Sequence, residues 1–237
     1  MKKFYNFIAK DNAVHELYVY GEIVGGSEKW TEDDVTFLDF KECIEKIPDG
    51  ATLDLYINSP GGSVFATQSI LSILDRAKAR GITINGYIDG LGASCASWLA
   101  CACDNIYIYN HSVLMLHKPM TFSFGNADNL AKEIELLNKL ENDVMIPVYL
   151  KKANTGVTED DIRNMLSKET WLTSVEIAKY FNVTLLEEER QLVACADKEI
   201  LYKYKNTPES LLKTKDTNIA EDLAIKNKEI EIALALI

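Results

Sequence analysis

Three features along the chain have the residue types that nucleophilic hydrolysis needs. The adjacent glycines Gly61 and Gly62 follow a predicted strand, Ser94 lies among small residues before a predicted helix, and His117 ends a later strand. A serine nucleophile requires an imidazole within hydrogen-bonding distance and two backbone N–H donors for the oxyanion. The order of these features therefore favours Ser94 as nucleophile and His117 as general base.

Each feature also has a simpler structural explanation. A glycine-rich turn before a helix commonly serves packing, and a single histidine among apolar residues is usually a structural group. Ser97, deeper in the same predicted helix, is the other candidate nucleophile. His15 precedes the first predicted strand without an evident partner, and His111 is expected at the surface. The residues alone leave both interpretations open.

Composition and charge restrict the class of protein. Of the 237 residues, 47% are hydrophobic, which is enough for a sizeable core and argues against disorder. The net charge of -11 and the lack of a basic tract argue against a nucleic-acid partner. No run approaches the roughly 18 apolar residues of a membrane span, and the polar N-terminus is unlike a secretory signal. These features predict a cytoplasmic protein without a membrane partner.

The cysteines predict no disulfide framework and no metal site. Their number is odd, and most lie in apolar runs, as buried free thiols of a reducing compartment do. They are Cys43, Cys95, Cys101, Cys103 and Cys195. Cys101 and Cys103 have no second cysteine or histidine pair at ligand spacing, so zinc is not expected. The hydrolysis outlined above needs neither a metal nor a cofactor.

Strand-like and helix-like segments alternate through the first half of the chain, which predicts an α/β fold with a largely parallel sheet. Strands are predicted at 16–23, 52–58, 82–88, 105–109 and 112–116, with helices from Thr31 through Ile44, at 64–80 and from about Ser94. Gly90 and Gly92 predict a turn. Since functional loops lie at the carboxyl ends of parallel strands, the glycine pair and Ser94 are placed where a site is expected.

The second half is predominantly helical. Residues 126–152 form a predicted helix with Ile134, Leu137, Leu140 and Val144 on one face, and Pro147 predicts a kink or restart. Further helices are predicted from Thr158 and after Thr173. We expect one domain over residues 1–190 and a C-terminal helical extension of unknown role over 191–237.

Three segments together resemble the proteolytic subunit family of the Clp protease. Residues 56–64 (YINSPGGSV) are similar to its oxyanion segment, 90–97 (GLGASCAS) to its nucleophile elbow, and 114–119 (LMLHKP) to its histidine strand. The resemblance runs in order from about Leu17 to about Glu187. Within the family, residues 30–36 and 169–173 look closest to the phage-encoded prohead or head-maturation proteases.

The resemblance implies a role for individual residues. It implies Ser94 as nucleophile, His117 as base, and the N–H groups of Gly62 and Cys95 as the oxyanion hole. Glu169 stands where housekeeping members have aspartate, as the third member of the triad. The residues implied in substrate binding are Gly61, Ser63, Phe122 and Phe124. The implied fold is α/β and crotonase-like, with repeated ββα units and a protruding handle helix at about 126–152.

The implied function is that of a serine endopeptidase acting on polypeptide inside a ring-shaped homo-oligomer, a heptamer or stacked rings. An AAA+ unfoldase, or phage capsid and scaffold proteins, are the implied partners. Glu169, Pro147 and the Phe-Ser-Phe segment at 122–124 depart from the usual pattern, so two alternatives remain. One is a catalytically inactive ring component. The other is a crotonase-like acyl-CoA enzyme, which would not need the pair of Ser94 and His117.

Overall fold

A mostly parallel β-sheet positions the segments that the sequence singles out. The computed structural model describes residues 7–9, 13–25, 35–187 and 204–208. The chain divides into two compact units, Met1–Asn206 and Thr207–Ile237. Thr31, Cys195 and the helices predicted beyond residue 211 lie outside the described residues.

Within the described residues, eight strands form the main sheet. The strands are β1 Phe7–Ala9, β2 Val14–Tyr20, β5 Thr52–Ser59, β6 Thr83–Ala93, β7 Asn105–Tyr109, β8 Val113–Leu116, β9 Thr170–Thr173 and β10 Thr184–Leu186. The order in the sheet is β1-β2-β5-β6-β7-β10, and β8 pairs with the end of β6 on one side and with β9 on the other. All pairs are parallel except β1 with β2 and β8 with β9. The predicted α/β class is confirmed.

Alternation along the strands sends apolar side chains to one face and tyrosines to the other. Leu53, Leu55 and Ile57 of β5 are fully buried in the core. On the opposite face, the rings of neighbouring strands stack with centroids 4.8 Å apart. This ladder consists of Tyr18, Tyr56, Tyr87 and Tyr107.

The glycine segment at 90–92 is not a turn, as the sequence suggested, but part of β6. After a bulge beyond Ile57, Ser59 of β5 pairs with Gly92. On its other side, this end of β6 pairs with β8, where Gly92 lies opposite Leu114 and Ala93 opposite Met115. Two flanking strands thus hold the glycines extended, and local turn propensity is overridden by pairing.

The N-terminal elements also differ in detail from the predictions. The first predicted strand is divided at Gly21, whose φ of 116° breaks the ladder, into β2 and β3 Ile23–Val24. Strand β3 pairs with β4 Val35–Thr36, so this part of the predicted first helix is extended, and α1 covers Phe37–Glu45. His15 lies inside β2 and is buried, rather than before the first strand.

Helices α2 Val64–Ala79 and α3 Cys95–Ala102 begin directly after the two predicted site segments. The helix predicted at 126–152 is a composite of α4 Ala127–Lys139, a π-helix at Leu140–Met145 and α5 Ile146–Leu150. Pro147 occupies the first turn of α5, where a missing N–H is tolerated, so the predicted restart is confirmed. None of the residues of α4 is buried. We call α4 and the π-helix together the arm.

The chain then returns to the sheet through α6 Glu159–Lys168, β9 and α7 Ser174–Tyr180. Thr158 caps α6 by accepting a hydrogen bond from the backbone N–H of Asp161. Strand β9 runs antiparallel to β8, with Thr170 opposite Leu116. This pairing brings Glu169, at the end of α6, to the end of the strand that carries His117.

Four of the predicted free thiols are confirmed as buried and unbridged, and Cys195 is not described. The four are Cys43, Cys95, Cys101 and Cys103. Burial raises the pKa of the Cys101 and Cys103 thiols to about 12. In the part of the chain that the structure describes, no helix is both long and apolar enough to cross a bilayer.

Candidate active site

Ser94 lies at a sharp turn between β6 and α3. Its backbone has φ 53° and ψ -125°, outside the ordinary regions for a residue with a side chain. The Ser94 N–H donates to the Met115 carbonyl at 2.9 Å, which fixes the turn to the histidine strand. Of the non-glycine residues that the structure describes, only Ser94 and Glu169 have a positive φ. Such strain persists where the surroundings enforce it, commonly at functional sites.

The Ser94 hydroxyl and the His117 imidazole form a direct hydrogen bond. Ser94 Oγ and His117 Nε2 are 2.7 Å apart, and the histidine is only 7% exposed. Burial lowers the pKa of His117 below its ordinary value of 6.5, and the charge of Glu169 partly opposes this shift. At neutral pH the imidazole is therefore uncharged and able to accept the serine proton.

Gly62 and Cys95, whose N–H groups are the predicted oxyanion donors, line the same cleft as Ser94. The groups on either side of Gly62 both bond to Ile23: the Gly61 carbonyl accepts its N–H, and the Ser63 N–H donates to its carbonyl. The Gly62 N–H is therefore directed to the side of this segment that faces away from Ile23. Cys95 is the first residue of α3, and its N–H has no acceptor within the helix. Together with the positive end of the helix, these donors can stabilise a developing oxyanion.

Glycine is required at both positions of the oxyanion segment. Gly61 has φ 92°, and a Cβ there would lie 2.6 Å from the Ala93 carbonyl oxygen and 2.7 Å from Ser94 Cβ. Gly62 has φ 148°, and a Cβ there would lie 2.2 Å from the Ile23 carbonyl oxygen. The close approach of Gly61 to the serine turn, and of Gly62 to Ile23, is thus possible only without side chains.

Glu169 lies near His117 but is bonded elsewhere. It ends α6 with φ 50° and ψ 76°. Its Oε2 accepts the backbone N–H of Lys205 at 3.0 Å, and its Oε1 accepts that of Asn206 at 2.6 Å and, at 3.4 Å, the indole N–H of Trp171. Within the described residues, no hydrogen bond joins Glu169 to His117. The charge of Glu169 still raises the pKa of His117. The hydrogen bond by which a triad carboxylate would orient the imidazole is absent in this conformation.

Tyr204 is a site residue that the sequence did not reveal. Its hydroxyl donates to the Pro60 carbonyl at 2.6 Å, and its ring lies edge-on to His117 with centroids 5.2 Å apart. Its ring also lies 6.1 Å from that of Trp171. No sequence pattern indicated these contacts, because the tyrosine is 144 positions from Pro60 and lies in no helix or strand.

A cleft of about 150 Å³ opens beside the serine and is partly lined by apolar side chains. They include Val64, Trp98, Met120 and Met145. Gly61 also lines this cleft, whereas the Ser63 hydroxyl caps α2 by accepting the N–H of Ala66 at 3.3 Å. Phe122 and Phe124, expected to bind substrate, are fully exposed in an irregular segment outside the cleft.

The neighbouring hydroxyl and thiol are not placed to react. Ser97 is completely buried and donates its hydroxyl to the Ser94 carbonyl at 2.5 Å. The Cys95 thiol donates to the Gly62 carbonyl at 3.4 Å, and burial raises the pKa of this thiol, which keeps it protonated.

His111, which the sequence placed at the surface, bonds to the Asp89 carbonyl. The described residues contain no cluster of histidine, cysteine and acidic side chains that could hold a metal ion.

Comparison with known proteins gives consistent matches. A statistical model of the family described as Clp protease matches residues 32–183. The "ATP-dependent Clp protease proteolytic subunit" of Bacteroides fragilis is 27% identical over 139 residues, 58% of this chain and 64% of that protein. The protein of the same name from Pleurastrum terricola is 28% identical over 138 residues, 57% and 67% of the two chains.

A third relative is "ATP-dependent Clp protease proteolytic subunit 4" of Rhodococcus jostii, 31% identical over 130 residues, 54% of this chain and 64% of the relative. The chain thus spans about two thirds of the length of the curated relatives that it matches. The family match covers well over half of the chain, including strands β5 to β9, Ser94, His117 and Glu169. The chain therefore belongs to the Clp protease family, with the crotonase-like α/β fold of that family.

Proposed function

We propose that the protein is a serine endopeptidase with Ser94 as nucleophile and His117 as general base. The observation that carries this proposal is the 2.7 Å hydrogen bond from Ser94 Oγ to His117 Nε2, made at a strained turn that begins a helix. A buried, uncharged imidazole is the form that a general base requires. Family membership supports the same chemistry.

The proposed reaction has two stages. His117 Nε2 takes the hydroxyl proton of Ser94 while Oγ attacks the peptide carbonyl, and the N–H groups of Gly62 and Cys95 stabilise the oxyanion. His117 then protonates the leaving amine, and the acyl-enzyme forms. Water, deprotonated by the same imidazole, cleaves the ester and releases the second product. No metal or cofactor enters any step.

Glu169 is proposed as the third member of the triad. A carboxylate in this role holds one tautomer of the imidazole and stabilises its charged form. Glu169 already raises the pKa of His117, and β8 and β9 bring the two residues to adjacent strand ends. The orienting bond would form when the carboxylate leaves its present partners.

The proposal extends to the assembly and its setting. We propose a ring-shaped homo-oligomer, as a heptamer or as stacked rings, that encloses the site and admits unfolded polypeptide in the cytoplasm. The names of the relatives describe subunits of an ATP-dependent protease, which supports an AAA+ unfoldase as partner. The finer proposal is a role in phage head maturation, with capsid or scaffold protein as substrate; neighbouring portal and capsid genes would test it.

A fluorophosphonate probe tests the chemistry directly. We expect covalent labelling at Ser94, located by mass spectrometry of peptides, and hydrolysis of a fluorogenic peptide by the same preparation. Ser94→Ala is expected to abolish both, with a loss on the order of a millionfold in turnover. Labelling at Ser97, or full activity of folded Ser94→Ala, would contradict the proposal.

A second candidate is a ring component without catalytic activity. It is favoured by one observation, which is that Glu169 binds the peptide N–H groups of Lys205 and Asn206 instead of His117. A folded chain that reacts with no serine-directed probe in any variant would support this candidate. Labelling of Ser94 would exclude it.

A further inference from the structure

Residues 204–206 contact two members of the proposed triad, His117 and Glu169, at once. The hydroxyl of Tyr204 bonds to Pro60 within the oxyanion segment, and its ring lies against His117. The next two residues bond through their backbone to Glu169. The Asn206 side chain adds a hydrogen bond of 2.9 Å to the Lys168 carbonyl. With the ring contact between Tyr204 and Trp171, this segment docks on the site through four hydrogen bonds and two ring contacts.

Tyr204 occupies space that a substrate needs. It lines the cleft together with Ser94, His117 and Gly62. Burial raises the pKa of the Tyr204 phenol, and the nearby Ser94 hydroxyl partly opposes this shift, so the phenol is protonated. A peptide carbonyl must approach both Ser94 Oγ and the Gly62 N–H to react. The phenol therefore competes with that carbonyl.

The backbone of the next two residues acts on the carboxylate. Both oxygens of Glu169 accept peptide N–H groups, and Oε1 is shared with the Trp171 indole. Hydrogen bonds to a charged acceptor are about twice as strong as neutral ones. They hold the Glu169 side chain in an orientation that makes no bond to His117. Release of the segment would free both oxygens.

We propose that residues 204–206 are an intramolecular inhibitor, which covers Ser94 and His117 with the Tyr204 ring and holds Glu169 away from His117 on two peptide N–H groups. This inference rests on the proposed peptidase function. Substrate must displace the segment, so only molecules in which the segment is released can bind it. The smaller that fraction of molecules is, the lower is the apparent affinity for substrate. Weakening the segment should therefore raise kcat/KM.

Three variants of the full-length chain separate the contacts. Tyr204→Ala removes the ring and hydroxyl. Lys205→Pro removes the N–H that binds Glu169 Oε2, whereas Lys205→Ala keeps that N–H and is the matched control, since this side chain is exposed. We expect the second-order rate of fluorophosphonate labelling at Ser94 to rise about tenfold or more in the first two variants. The control should retain the inhibition.

A second measurement does not depend on catalysis. In the Ser94→Ala chain, the amide hydrogens of Lys205 and Asn206 should exchange slowly, and adding Tyr204→Ala should make them exchange fast. Fast exchange in Ser94→Ala alone would overturn the docking. Equal labelling rates in the wild type and Tyr204→Ala would overturn the inhibition and leave the peptidase standing. Absence of labelling in every chain would overturn both proposals.

Discussion

The hydroxyls of Ser97 and Tyr149 are 2.6 Å apart in the core beneath the nucleophile turn. Ser97 donates its proton to the Ser94 carbonyl, so Tyr149 is the donor in this contact. Tyr149 belongs to α5, immediately after the arm, and both side chains are completely buried. A chain of two hydrogen bonds thus joins α5, the helix that follows the arm, to the strained backbone of Ser94.

This relationship predicts how the turn responds to substitution. Tyr149→Phe leaves the Ser97 bond to Ser94 intact and should lower the free energy of unfolding by about 1 kcal/mol. Ser97→Ala removes that bond and the acceptor of the buried Tyr149 hydroxyl, and should cost about 1–3 kcal/mol. Urea unfolding measures both, and peptide hydrolysis should fall more in Ser97→Ala.

The double variant is the control for this network. Ser97→Ala with Tyr149→Phe leaves no buried hydroxyl without a partner, so it should be more stable than the sum of the single losses indicates. Strict additivity of the three unfolding free energies would show that the two hydroxyls do not act together.

Local patterns placed Ser94 after one predicted strand and His117 at the end of another, and carboxyl ends of parallel strands lie at one edge of a sheet. The residues alone left a structural explanation open, and the resemblance to the Clp protease family favoured the pair that the structure joins by a hydrogen bond. Glu169 was placed by the resemblance alone, and its proximity to His117 depends on the antiparallel pairing of β8 with β9. The catalytic roles of the three residues stay predictions.

Other features depend on contacts that local patterns do not encode. Gly90 and Gly92 have the composition of a turn, yet pairing with β5 and β8 keeps this segment extended. Tyr204 lies beyond residue 190, where no periodicity indicated a role, and its position is determined by contacts with residues far away in the chain, Pro60 and His117. Its docking could be found only from the structure.

The pKa of His117 predicts the acid limit of activity. Because burial lowers this pKa below 6.5, the imidazole stays uncharged into mildly acidic solution, and kcat/KM should fall only as the pH drops below 6.5. The charge of Glu169 raises the same pKa. In Glu169→Gln, the acid limb should therefore move to lower pH although the rate itself falls by about a hundredfold or more.

The measurement is a pH profile of kcat/KM for a fluorogenic peptide. It is made in the Tyr204→Ala chain, so that release of residues 204–206 does not obscure the effect of the carboxylate. Glu169→Asp is the matched control and should retain part of the activity and the position of the acid limb. An acid limb above 6.5, or one that moves upward in Glu169→Gln, would show that another group governs the titration.

Two glycines with similar backbones test the contact with the nucleophile turn. Gly61 has φ 92° and Gly156 has φ 97°, but a Cβ at Gly156 meets nothing within 4 Å. Alanine should cost both positions about 1 kcal/mol of stability through backbone strain. Only Gly61→Ala, whose Cβ would collide with the Ala93 carbonyl and Ser94 Cβ, should also lose labelling at Ser94. Equal labelling of both variants would refute the contact.

Helix α4 of the arm presents an apolar side chain, Ile134, that the described core does not cover. Ile134 is 59% exposed and α4 has no buried residue, whereas Leu140, predicted on the same face, lies in the π-helix and is buried. The base of the arm is held by Glu141 in the π-helix, which is buried and bonds to Lys118 at 3.0 Å and Arg163 at 3.3 Å. An anchored helix with an exposed apolar face is suited to contact with a second copy.

Ile134→Glu should therefore weaken the contact between rings. By mass photometry, the wild type should form a species several-fold heavier than the 26.6 kDa chain, and Ile134→Glu should reduce its mass by about half without producing only monomers. Lys132→Glu introduces a carboxylate two positions away, on the opposite side of the same helix, and should leave the mass unchanged. A wild type that is monomeric at micromolar concentration would refute the proposed ring. An Ile134→Glu assembly with the mass of the wild type would show that Ile134 does not contribute to the contact between rings.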